Sequence, residues 1–394
     1  MEKDKLWTRE FVSISLIGLF LFLTFNVLLN ILPLYLAGPL QQGTDKVGLV
    51  ITIFLVSAIL VRPFVSQWVH RYSLKKLLVI SDLGFLIATI LYPFATNVWA
   101  LLVLRFFHGI TFGIITTIAA TICTKVIPVS RRGEGIGYYS MTTSITMVIG
   151  PYIAIELANR NAFMAAFILC IVVSVFRYLL VLKINVPEEK RNPVSSKIVE
   201  KITLEDLFDK KAAPYALSIF VMALAYSSIP AFLALYAKSI GLQETASYFF
   251  VIYALVVLVS RTFTGRLSDK LGVNVVFYPC LVFYAVGMLL LSQTFNASSL
   301  LVSGAILGLG YGAVTPVIQT QTINAVPPQR VVAANSLYFN SLDCGMALGS
   351  YLWGVLAIFT TYRNIYLLGM VLVIFAGIQY YVLIRKKAAL QGNM

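Results

Sequence analysis

Charge is scarce in this chain, and acid scarcer still: of 394 residues, 30 are Lys or Arg, 16 are Asp or Glu and 2 are His, so that only 12% are charged. A soluble domain carries about 25% charged residues, which excludes a water-facing globule. The four cysteines, Cys123, Cys170, Cys280 and Cys344, form no CxxC pair and lie in or near apolar stretches. They read as small packing residues, not as a disulfide framework or a metal site. No G-x-x-x-x-G-K-[ST] phosphate loop occurs, and no HExxH or compact carboxylate pair. ATP hydrolysis and membrane-embedded catalysis therefore lack their usual machinery, and no cofactor is expected.

What the chain has in quantity is apolar residue, 59% of the whole. Continuous apolar runs of about 20 residues, each able to cross roughly 30 Å of hydrocarbon as a helix, recur from end to end. They lie near 12–36, 46–68, 76–95, 97–124, 135–157 and 163–184, then near 213–236, 244–268, 273–292, 298–320, 332–358 and 363–384. Strands of a membrane barrel alternate apolar and polar residues, and these runs do not. The reading is an all-α polytopic membrane protein with twelve transmembrane helices. The first run is too long for the core of a cleavable signal, so it counts as a span.

A net charge of +14 would suit a nucleic-acid partner, but its distribution points to the bilayer. With both termini placed in the cytoplasm, 22 of the 30 basic residues fall on cytoplasmic segments. Lys46, Arg160, Lys238 and Arg363 fall outside, and Arg62, Arg105, Arg177 and Arg261 lie in or at the ends of spans. This asymmetry is the positive-inside rule, and it reports topology in a cytoplasmic membrane.

The longest polar stretch, 185–212, separates six spans from six and contains an LEDLF piece that reads as a short surface helix. The expected organisation is a bundle at 1–184, a cytoplasmic linker at 185–212 and a second bundle at 213–394. One register relates the halves. Arg62 maps to Arg261, Phe64 to Phe263, Gly109 to Gly308, Gly113 to Gly312, Pro128 to Pro327, Arg131 to Arg330 and Gly150 to Gly349, all at an offset of 199. Internal duplication of this kind marks secondary transporters.

Several motifs carry a resemblance over essentially the whole chain. GRLSDKLG, Gly265 to Gly272, resembles the 8–9 loop signature of the major facilitator superfamily. The first-half partner of that loop has drifted to SQWVHRYSLKK, with Ser66, His70 and Ser73 where Gly, Asp and Gly are usual, while Arg71 and Lys75 stay basic. LRFFHGITFG, residues 104–113, is similar to the fourth-span signature with its intramembrane Arg, and GYYSMTTSITMVIGPYIA, from Gly137, to the fifth-span signature of exporters. KLWTREF and NILPLY are similar to segments of bacterial twelve-span drug:proton antiporters. The resemblance implies the major facilitator fold, two pseudo-symmetric six-helix bundles working as a single chain. It also implies a proton gradient as the energy source and small-molecule export as the activity. Gly150, Pro151, Arg62, Arg71, Arg261, Gly265, Asp269 and Lys270 become gating candidates. On this reading Asp269→Asn impairs transport more than His70→Ala, because His70 stands where the acid is usual.

Only three acids fall within spans, Asp82, Glu156 and Asp343, and an ionisable group in hydrocarbon usually faces a cavity or a partner. Asp343, His108 and Arg105 are the proton-coupling candidates; Arg105 and His108 are three apart and share a helix face. Asp82 is expected to pair near Arg62 or Lys76, and Glu156 with Arg160 one turn on. Substrate-cavity candidates are Asn26, Asn30, Arg105, His108, Tyr226, Ser227, Tyr253, Gln319, Asn335 and Asn340, each of which also suits plain interhelical bonding. Arg105 and His108 suit anionic or zwitterionic cargo, including the small opine-type metallophores that related exporters carry. A nutrient importer of the same fold uses the same parts; the Gly150–Pro151 signature favours export. A membrane enzyme or scaffold is the reading from another class, and it leaves the intramembrane charges without purpose.

Overall fold

The computed structural model describes residues 5–41, 44–186, 209–242 and 244–391; the LEDLF piece lies outside them. Among the described residues, thirteen α-helices follow in order: α1 Arg9–Ala37, α2 Thr44–Arg71, α3 Leu74–Leu91, α4 Val98–Val126, α5 Arg132–Asn159, α6 Phe163–Lys183, α7 Ala213–Tyr226, α8 Ser228–Ser239, α9 Thr245–Leu271, α10 Val273–Ser292, α11 Ala297–Asn324, α12 Val331–Phe359 and α13 Tyr362–Gln391. Twelve stretches of the described residues are long and apolar enough to cross a membrane. The seventh differs from the continuous span expected: α7 ends at Tyr226 and α8 begins at Ser228, with the Ser227 hydroxyl turned back on the Leu224 carbonyl at 2.8 Å.

Caps start the helices where the sequence turns polar. Ser73 accepts the Lys76 N–H, Asn97 the Ala100 N–H, and Asn296 forms a reciprocal box with Ser299. Lys75 closes an end instead: its Nζ donates to the carbonyls of Val181, Leu182 and Ile184 at 2.5, 2.9 and 2.7 Å. A cation thus sits where the α6 dipole is negative.

The chain divides into two compact units, Met1–Val129 with Thr142–Leu207, and Ser130–Met141 with Phe208–Met394, the division falling inside α5. The units repeat one plan. In the first, α4 lies against α2 and α3, and α6 against α1 and α3; in the second, α11 lies against α9 and α10, and α13 against α7 and α10. The offset of 199 reappears in the helix starts, Leu74 with Val273, Val98 with Ala297, Arg132 with Val331 and Phe163 with Tyr362. It reappears in packing too. Gly109 lies against Phe54 and Ser57 as Gly308 lies against Tyr253 and Val256, and Gly113 against Ala58 as Gly312 against Val257. Small residues at these crossings bring the helix backbones together, which is how membrane helices associate without a hydrophobic driving force between them. Leu60, Phe107, Phe176, Leu255 and Ile378 stand exposed on the outer faces, as lipid solvation allows.

Candidate functional site

In the first unit, α4 presents Arg105 and His108 to α2 and α3, and both are fully buried. Arg105 Nε donates to the Val50 carbonyl at 3.2 Å, and one terminal nitrogen reaches the Tyr92 hydroxyl at 3.5 Å. The guanidinium lies 4.1 Å from the centroid of the Phe54 ring, a cation–π contact. Its remaining nitrogen, Nη2, has no partner. Tyr92 Oη is 2.9 Å from His108 Nδ1, and Thr89 Oγ1 is 3.5 Å from Nε2. The His108 ring lies against Phe85, centroids 3.8 Å apart. The group is an aromatic-walled Arg–His pair with one donor left over.

Asp82 corrects an expectation. Its partner is Arg177 on α6, bonded Nε to Oδ1 at 2.7 Å with both residues fully buried, and not the Arg62 or Lys76 region. Lys76 instead stands over the Tyr72 ring. Arg177 carried no pairing signal because nothing in its own helix pattern shows which face of α3 it meets. Glu156 and Arg160 form an exposed pair at 2.5 Å.

Asn26 spends its amide on structure. Nδ2 donates to the Phe22 carbonyl at 2.9 Å and to Thr146 Oγ1 at 3.2 Å, where Gly150 of α5 rests against Asn26 and Val27 of α1. Asn30 donates to the Asn26 carbonyl at 2.8 Å. Pro151 follows Gly150 inside α5.

The second unit gathers tyrosines. Tyr226 stacks on Tyr311 with centroids 3.9 Å apart and meets Tyr253 at 5.9 Å, while Tyr284 adjoins Tyr311 at 5.4 Å. Tyr338 donates to the Thr315 carbonyl at 3.0 Å. Tyr311 and Tyr338 lie within the electrostatic reach of both Arg261 and the half-buried Asp343. Sequence reading named Tyr226 and Tyr253 and missed Tyr311, Tyr338 and Tyr284. The first unit holds the matching triad in phenylalanine: Phe25 stacks on Phe54 at 5.4 Å and on Phe112 at 4.8 Å. An offset of 199 carries Phe54 to Tyr253 and Phe112 to Tyr311, so comparing the halves would have found Tyr311, while Phe25 falls on Leu224 and not on Tyr226. Nearby in sequence, Gln319 Nε2 donates to Asn335 Oδ1 at 3.2 Å. Asn340 Oδ1 has no partner, and Ser227 lies against Gly349.

The charged knot at 261–272 is also placed. Arg261 is buried, its Nε donating to the Gly312 carbonyl at 3.1 Å and a terminal nitrogen to the Ser140 carbonyl. Asp269 accepts the Gly133 and Glu134 backbone N–H groups, both at 2.8 Å. These are orphan donors of the first turn of α5, so a side chain from α9 caps it. Glu134 in turn accepts from Arg266 at 2.6 Å and Arg131 at 2.8 Å. Gly265 makes room: a Cβ there would stand 2.5 Å from the Gly133 carbonyl oxygen. Gly272, at φ 89°, turns the chain into α10. Arg62 is buried; Arg71 and Lys270 are exposed. Replacing Asp269 with Ala removes the cap and is expected to cost about 1 kcal/mol, read as a lower melting temperature, with Asn intermediate; an unchanged melting temperature in both variants would refute the cap.

Twelve spans among the described residues, in two like units with cations, an acid and tyrosines buried inside them, have the architecture of a membrane transport protein. The sequence model of the Major Facilitator Superfamily matches residues 14–276 and again 217–393, and the chain belongs to that family. It is similar to the multidrug resistance protein MdtG of Escherichia fergusonii, 25% identical over 94% of this chain and 93% of that protein. It is similar also to the multi-drug resistance efflux pump PmrA of Streptococcus pneumoniae, 28% identical over 76% of this chain and 77% of that one. An uncharacterised MFS-type transporter of Methanocaldococcus jannaschii is 24% identical over 89% of this chain and 92% of its own length. The crystal structure of the MFS transporter FucP in the outward conformation shares the fold, with a TM-score of 0.76 over 95% of this chain and 99% of that one at 13% identity.

Proposed function

We propose that the protein is a proton-coupled exporter of small amphipathic molecules, working as a single chain by alternating access in a bacterial cytoplasmic membrane with both termini inside. The observation that carries the reading is the asymmetry of the two aromatic triads. Two of their three positions correspond at the offset of 199, yet the first triad is all phenylalanine and the second all tyrosine with Arg261 and Asp343 close by. Packing alone needs no hydroxyls. A ligand site with apolar walls and a few polar groups does. Export is supported by the relatives named for multidrug resistance, which match along most of their length. Arg105 and His108 belong to the coupling side of the cycle, with Asp343 near the cargo. The Asp269 cap on α5 and the Gly150–Pro151 step within it serve as gating elements.

Inverted vesicles bearing the protein, with ethidium as a cationic aromatic probe and a panel of zwitterionic metabolites beside it, test this. Accumulation driven by an inside-acid gradient is the expected result. Accumulation driven by the opposite gradient would make the protein an importer, and none for any probe would end the proposal.

A further inference from the structure

A second buried charged group in the first unit stands apart from Arg105. Asp82 and Arg177 are joined by the single bond from Nε to Oδ1 at 2.7 Å. Asp82 Oδ2 has no partner, and neither do Nη1 and Nη2 of Arg177. The guanidinium lies over the Phe85 ring, 4.2 Å from its centroid, the same ring that meets His108. A buried ion pair is expensive to keep unless its remaining polar atoms are satisfied, and here the other three have no partner.

The fold does not ask for this pair. The offset of 199 puts Leu281 in the place of Asp82 and Ala376 in the place of Arg177. There α10 and α13 pack closely, with Leu281 against Gly377 and no charge at all. The same helix crossing is therefore made twice in one chain, once with an incompletely bonded ion pair and once with aliphatic groups.

Resting on the proton-coupled reading above, we propose that Asp82 is the group that carries the proton, with Arg177 as the internal cation that neutralises it when the proton has left. The proton adds to Oδ2, the oxygen without a partner, forming one O–H bond and discharging the carboxylate. The hold on Arg177 weakens, and its release or shift is the conformational signal. Loss of the same proton to the other side restores the pair, so one proton enters and one leaves per cycle. Besides Arg177, the charged or titratable groups on elements packed against α3 include His108, Arg105, Cys123 and Lys125 of α4, Arg62 and Arg71 of α2, Cys170, Tyr178 and Lys183 of α6, and Tyr92 in the turn after α3. Arginines do not release their protons. His108 already commits Nδ1 to Tyr92 and Nε2 to Thr89. Sodium would face the Arg177 guanidinium directly, whereas a proton neutralises the carboxylate by a covalent bond.

The test is pH-difference infrared spectroscopy of the whole chain in lipid nanodiscs, which needs no cargo. The expected result is a high-frequency protonated-carboxyl component, as a buried and weakly hydrogen-bonded acid gives and the exposed acids do not, that grows as pH falls, is lost in Asp82→Asn and survives in Asp343→Asn. No such band in the wild type, or its survival in Asp82→Asn, overturns the proposal. The double variant Asp82→Leu/Arg177→Ala copies the second unit and guards against a folding failure. It is expected to melt no lower than the wild type while gradient-driven ethidium accumulation falls at least tenfold. A wild type whose ethidium transport ignores the gradient fails the coupled reading itself, whereas a gradient response that persists in the double variant fails the assignment alone.

Discussion

Alanine at Gly109 is expected to lower the melting temperature of the purified protein markedly and to abolish transport, with a smaller loss for alanine at Gly308. A methyl group on Gly109 would overlap Ser57 Oγ and the Phe54 carbonyl oxygen, the second of which is backbone and cannot rotate away. The crossing of α4 on α2 must open, and overpacking of that kind costs about 1–3 kcal/mol, occasionally more. The damage does not stop at packing. Arg105 reaches across the same seam to the Val50 carbonyl and stacks on Phe54, so a displaced α2 breaks both contacts. At Gly308 the nearest backbone atom to a new Cβ is the Tyr253 carbonyl oxygen at 2.8 Å, and the remaining neighbours are Val256 side-chain atoms at 3.1 and 3.2 Å. That crossing yields more easily. Thermal denaturation in detergent with and without added lipid reads both variants; equal melting temperatures for Gly109→Ala and the wild type would show that the helices are not as close as described.

The spans and the repeat were legible because lipid imposes them. Each crossing helix must satisfy its backbone internally and be apolar throughout, which leaves a signal in the sequence that no tertiary contact can disguise. The glycines at 109 and 113 and at 308 and 312 were legible for a related reason: a close approach tolerates no side chain, so both copies of the repeat keep the same residue. What stayed hidden was everything decided by which face meets which neighbour. Asp82 and Arg177 are 95 residues apart on helices whose apolar patterns give no orientation strong enough to bring them together. Tyr311 and Tyr338 look like ordinary apolar positions until Tyr226 and Arg261 are placed beside them. The break at Ser227 is marked only by Pro230, three residues beyond it, whose missing N–H cannot continue the ladder of α7, and the apolar residues on both sides masked that signal. The capping of α5 by Asp269 joins an acid in the last turn of α9 to backbone donors, which have no residue signature.

Lysine at Arg105 is expected to preserve the fold and still reduce transport at least tenfold, a loss of about 1.4 kcal/mol in the rate-limiting step. The repeat explains why the fold survives. The equivalent of Arg105 is Gly304, and the equivalent of His108 is Leu307, so α11 makes the same crossings with neither side chain. Arg105 is therefore not what holds α4 in place. Its geometry is that of a planar cation: Nε toward the Val50 carbonyl, one terminal nitrogen toward Tyr92, a face on Phe54 and one terminal nitrogen unspent. An ammonium keeps the charge but has no flat face and no fork, and Arg-to-Lys exchange at a stacked, multiply bonded site is not conservative. If charge alone mattered, lysine would transport normally and glutamine would not. If the planar arrangement matters, lysine and glutamine fail together, with melting temperatures near that of the wild type. Initial rates of gradient-driven ethidium uptake into inverted vesicles, measured over a range of probe concentrations, separate the two. The expected signature is a fall in maximal rate larger than any change in half-saturation, because a residue that links His108 and Tyr92 to α2 acts on the cycle and not on first capture of the cargo. Full transport by Arg105→Lys would leave Arg105 as a buried countercharge and nothing more.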